Sequence, residues 1–163
     1  MSMLVSTLAI GIGATVMMDI WGVARKVLLK QPIPNYRMVG RWLGHMAKGQ
    51  FRHDAIAKSV PVRGERVIGW TAHYLTGIAF ASLLTVGWDN HWVQAPTLIP
   101  ALIVGLGTVV APFFLMQPAM GAGIAASKTA NPVSARWQSL GNHLAFGLGL
   151  YLSALSVQLA NAT

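Results

Sequence analysis

Four stretches of this chain are each long enough to cross a bilayer and almost free of charge. They run over about residues 4–23, 67–86, 98–116 and 140–159. A transmembrane helix needs about 20 mostly apolar residues. No lipid-exposed open sheet edge or loop survives in hydrocarbon, so such runs must become helices with their backbone bonds closed internally. The fold class this predicts is an all-α membrane protein of four transmembrane helices, in a single membrane domain over residues 1–163. Composition agrees: 54% of residues are hydrophobic and only 10% charged, against roughly 25% charged in soluble domains. The first run does not read as a signal peptide. No Lys or Arg precedes it and no small-residue cleavage site follows its apolar stretch.

The basic residues set an orientation. Of the 12 Lys and Arg, Arg25, Lys26, Lys30, Arg37, Arg41, Lys48, Arg52, Lys58, Arg63 and Arg66 fall between the first two runs, and Lys128 and Arg136 between the last two. None lies at either terminus or in the connection over 88–95. Cytoplasmic loops carry the excess of Lys and Arg. This predicts a multi-pass inner-membrane protein with a basic cytoplasmic loop over 25–66 and both termini periplasmic. The same rule accounts for the net charge of +8, so nucleic acid is not an expected partner.

The chain also repeats itself. Ile10-Gly-Ile-Gly-Ala-Thr-Val16 resembles Val104-Gly-Leu-Gly-Thr-Val-Val110. Arg66 precedes His73 by seven residues, with Gly77 four further on. Arg136, His143 and Gly147 repeat that spacing. Two halves of equal orientation would form parallel two-helix repeats about an axis along the membrane normal.

Depth then places the polar residues. Seven residues at 1.5 Å each put His73 and His143 roughly 10 Å above their arginines, and Asp19 about 9 Å from Arg25. Gln117 and Asn142 lie near the same level. Asp19, His73, Gln117, Asn142 and His143 are therefore the expected ligand or ion site, a polar layer in the inner leaflet. Ionisable groups at such depth turn from lipid and find partners. The alternative role for the layer is to tie helices together, at about 0.6 kcal/mol per hydrogen bond on average. Pro112 and Pro118 each remove a helix donor, so the third helix should kink or break beside this layer.

Within the long loop, Tyr36, Val39, Trp42, Leu43 and Met46 share one helical face, and Pro32 and Pro34 separate them from the first run. This predicts an amphipathic helix near 36–46, lying on the inner leaflet. Arg37, Arg41, Arg52, Arg63 and Arg66 are the expected contacts to anionic head groups or a phosphorylated solute. His45 and His53 read as interfacial polar residues rather than ligands. Met116 and Met120 could flank a soft metal, although Met is also a common gap filler.

Several motifs carry a family resemblance: Gly40-Arg-Trp-Leu-Gly-His45, Phe51-Arg-His-Asp54, Pro61-Val-Arg-Gly-Glu-Arg66, Gly69-Trp-x-x-His73-Tyr and Met116-Gln-Pro-Ala-Met-Gly-Ala-Gly123. Together they resemble a family of small bacterial membrane proteins, domain of unknown function twenty-nine thirty-eight. The resemblance covers nearly the whole chain. It implies a bacterial inner-membrane location and supplies no activity.

Three functions fit these residues. The first is a small transporter or channel-like protein whose Asp/His site takes an anionic or lipid-like solute. The second is a membrane redox protein in which His73 and His143 hold haem, a divalent metal with Asp19, or quinone. The third is a structural or accessory subunit of a membrane complex. With no nucleophile–base motif, phosphate loop or metalloprotease helix in the sequence, conventional hydrolase chemistry is not expected. Partners are membrane lipids and a small-molecule or lipid ligand. A homodimer is expected because four short helices barely enclose a path alone.

Overall fold

The computed structural model describes residues 1–88 and 91–162; Asp89 and Asn90, in the connection over 88–95, lie outside the described residues. Every regular element among those described is helical. There are five principal helices: α1 (Met3–Leu29), α2 (Tyr36–Met46), α3 (Glu65–Thr85), α4 (Leu98–Ala119) and α5 (Pro132–Ala162). Short 3-10 turns occur at Ile56–Lys58 and Ile124–Ala126. Helices α1, α3, α4 and α5 are long and apolar enough to cross a membrane. Helices α1, α4 and α5 each contain one of the apolar runs, and α3 covers the run over 67–86 up to residue 85.

Local chemistry explains the ends. Ser2 caps α1, its hydroxyl accepting from the Val5 N–H at 3.4 Å, and Lys30 closes that helix in the left-handed conformation. Asn35 caps α2 by accepting from the Arg37 N–H at 3.2 Å. Asn131 does the same for α5 through the Ser134 N–H at 3.0 Å, and Pro132 takes the first helical position, where a missing N–H costs nothing. Helix α2 spans the residues expected of it. Its polar side is not all solvated, however, because Arg41 is buried.

The prolines do not sever α4. From Ala111 to Met116 the helix widens to a π turn, in which the Gln117 N–H reaches back five residues to the Pro112 carbonyl. Wider pairing lets the chain pass Pro112 and continue to Ala119. The expected disturbance is present, as a π turn rather than a break. Such turns are often found at functional sites.

The chain forms two compact units. The first comprises Met1–Ile33, Tyr74–Thr108 and Gly141–Thr163. Its core is Ile10, Ala14, Ala81, Leu84, Trp92, Ala101, Phe146, Leu150, Ala154 and Val157. Small residues let its helices approach closely, as is usual for helix packing in membranes. A Cβ on Gly11 would lie 2.6 Å from the Ile78 Cα, and one on Gly77 would lie 3.4 Å from the Gly11 carbonyl oxygen. At the positions that the repeat equates with these, Gly105 and Gly147 lie against each other: a Cβ on Gly147 would be 3.4 Å from the Gly105 Cα. So α1 meets α3, and α4 meets α5, through the same pair of repeated glycines.

The second unit comprises Pro34–His73 and Val109–Leu140. Its core is smaller: Trp42, Ile56 and Ala119, with Met38, Leu43, Met46, Met116 and Met120 packed around them. Helices α2 and α3 cross so tightly that a Cβ on Gly40 would overlap the Glu65 carbonyl oxygen, and one on Gly69 that of Tyr36.

Candidate functional site

Within the first unit, three of the expected site residues sit half-buried in candidate spans: Asp19, Asn142 and His143. The Tyr74 hydroxyl donates to the Asp19 carboxylate at 3.1 Å. Asn142 accepts from the Arg25 guanidinium at 2.9 Å, which also donates to the Gln31 side chain at 3.0 Å. Arg25 is only 3% exposed, so a residue that the sequence offers as a topology marker is also an interior donor.

The contacts around His143 select one tautomer of its ring. The single Thr108 hydroxyl proton goes to the Gly105 carbonyl at 2.7 Å. The Thr108 oxygen, 2.9 Å from His143 Nδ1, is then left to accept. Nδ1 then carries the ring proton, and the Nδ1 atom also lies 3.3 Å from the Gly105 carbonyl oxygen. In the neutral ring Nε2 is consequently the acceptor. A turn of α4 thus orients an α5 imidazole as a base or ligand.

Within the second unit, His73 stacks on Tyr36 with ring centroids 4.0 Å apart and meets the Trp70 ring edge-on at 5.8 Å. Gln117 is half-buried, its amide donating to the Ser139 hydroxyl at 3.5 Å while its oxygen is buried without a partner. The five arginines expected at head groups divide. Arg52, Arg63 and Arg66 are exposed. Arg41 and Arg37 instead converge on Glu65, which is 4% exposed. Arg41 donates through Nε to one carboxylate oxygen at 2.8 Å and through a terminal nitrogen to the other at 3.1 Å. It also donates to the carbonyls of Ala57 at 3.2 Å and Ser59 at 3.0 Å. Arg37, more than half exposed, adds a 2.6 Å contact. The Val62 N–H donates to Glu65 as well, at 3.1 Å. The hydrogen bond to Glu65 raises the Arg41 pKa above its ordinary value, against the opposing effect of burial.

Sequence reasoning missed Glu65, Tyr74, Thr108 and Arg25 as partners. One signal was available. The chain has only four acidic residues against 12 basic ones, so any acid next to the arginine-rich loop is under strong pressure to become its hub. Among the described residues no three His, Cys, Asp or Glu side chains converge on a metal position.

These features define an all-helical protein with four helices long and apolar enough to cross a membrane, carrying polar side chains inside those helices. The chain belongs to the family described as protein of unknown function (DUF2938), which it matches over residues 8–157. No curated protein and no solved structure matches it.

Proposed function

We propose that the protein is a small transport protein of the bacterial inner membrane, with both termini periplasmic and the loop over 25–66 cytoplasmic. The orientation rests on the Lys and Arg asymmetry. The observation that carries the transport reading is His143: a half-buried ring in a candidate span, held by Thr108 so that Nε2 is the acceptor. Ionisable groups inside membrane spans mark substrate and proton paths by default. Asp19, held by Tyr74, and Asn142, held by Arg25, supply further polar contacts in the same unit. The solute is small, and anionic or lipid-like; in the second unit the exposed Arg52, Arg63 and Arg66 carry the positive charge that suits an anion.

The test begins with protein purified in lipid nanodiscs. Mass spectrometry identifies co-purified small molecules, and uptake of those molecules is followed in proteoliposomes. His143→Ala and Asp19→Asn should each abolish uptake while circular dichroism and monodispersity stay unchanged. If both variants only lower the melting temperature and uptake persists, the polar residues are helix glue and the transport reading fails. Cysteines placed at Lys48 and Arg63 should be labelled only from the cytoplasmic side; labelling from the periplasm would overturn the orientation.

A further inference from the structure

The sequence alone gives His53 as an interfacial polar residue, yet it is 8% exposed. Its Nδ1 lies 2.9 Å from the Ser59 hydroxyl, and its Nε2 is buried with no hydrogen-bond partner. An unpaired buried polar atom bears its desolvation without compensation, so what meets this one calls for an explanation. The neighbouring histidine does not answer it. The His45 ring is edge-on at 5.0 Å, but its own nitrogens are taken by the Val60 carbonyl at 2.9 Å and the Gln50 side chain at 3.1 Å.

The backbone ties His53 to the methionine-lined core of its unit. The His53 N–H donates to the Ala119 carbonyl at 2.9 Å, and the Ile56 N–H to that of Met120 at 3.0 Å. Two residues before His53, the Phe51 carbonyl accepts from the Trp42 indole at 2.9 Å. Trp42 and Ala119 are the centre of the cluster on which Met38, Met46, Met116 and Met120 pack. Half of the eight methionines in the chain are therefore gathered on one small core.

We propose that this cluster binds one soft monovalent cation, Cu(I) or its analogue Ag(I), through His53 Nε2 and thioether sulfurs of the surrounding methionines. Thioethers select Cu(I) over harder ions. With Nδ1–H donating to Ser59, the Nε2 lone pair is the ligating one. Ser59 then orients the ring from behind, as partners of metal-bound histidines do. The inference does not depend on the transport reading, whose polar site at Asp19, Asn142 and His143 lies in the other unit.

Full-length protein in detergent is titrated with Ag(I) by calorimetry, and with Cu(I) anaerobically against a chromogenic Cu(I) chelator. Wild type should bind one ion per chain, and excess Zn(II) should not displace it. His53→Gln and the quadruple Met→Leu variant at 38, 46, 116 and 120 should lose that binding. Ser59→Ala should weaken it by about 10-fold. Single Met→Leu variants keep packing volume, so folded protein is expected from each, and at least two should bind more weakly. Unchanged Ag(I) affinity in all four singles and in His53→Gln would overturn the proposal, as would a quadruple variant that binds Ag(I) as tightly as wild type.

Discussion

The two units are held by different forces. In the first, glycines bring helix backbones together and several polar side chains make single hydrogen bonds: Tyr74 to Asp19, Thr108 to His143, the Thr7 and Thr85 hydroxyls to each other at 2.8 Å. In the second, a core of three buried apolar side chains accompanies a buried carboxylate gripped by two guanidinium groups. The difference teaches where the risk lies. Many small packing contacts fail gradually when one is lost. A buried charge whose partner is removed fails all at once, because desolvation is no longer offset.

The largest expected effect follows from that asymmetry. Glu65→Gln leaves Arg41 charged and 6% exposed, which should cost about 3–5 kcal/mol. Chaotrope or thermal unfolding in detergent should show it, with hydrogen exchange rising first in α2. A change no larger than that of Arg37→Ala would mean that the carboxylate is not the hub. Replacing both members, Arg41→Met with Glu65→Met, should recover most of the loss, since apolar pairs of similar volume commonly match a buried ion pair. A double variant as unstable as Glu65→Gln would show that the carbonyl contacts of Arg41 contribute more than the pair.

Crowding comes next. Gly105→Ala in the first unit and Gly40→Ala in the second should each destabilise by about 1–3 kcal/mol, because neither backbone has room for a methyl. Equal losses would show that close helix approach matters alike in both units, whatever else holds them. Smallest are the single hydrogen bonds. Tyr74→Phe and Thr108→Val should each cost about 0.6 kcal/mol, measured by the same unfolding assay. Thr108→Val carries a second readout: loss of the fixed His143 tautomer should shift its imidazole ¹⁵N resonances. An unchanged spectrum would refute the Thr108-imposed tautomer.

Sequence alone determined the elements. Four apolar runs appear as four helices that could cross a membrane, the 36–46 periodicity appears as α2, and Pro112 disturbs α4 where a missing donor must. Those are local properties. A helix closes its hydrogen bonds within a few residues, and its apolar pattern is visible in the same window. Tertiary structure alone decided the partners. Arg25 meets Asn142 across 117 residues and Asp19 meets Tyr74 across 55. Arg41, read from the loop as a head-group contact, lies instead against Glu65, 24 residues on. Depth along a helix fixes only one coordinate of a side chain. Which neighbour it meets depends on helix rotation and on how close the glycines let the backbones come, and neither quantity is written in any local stretch of the chain.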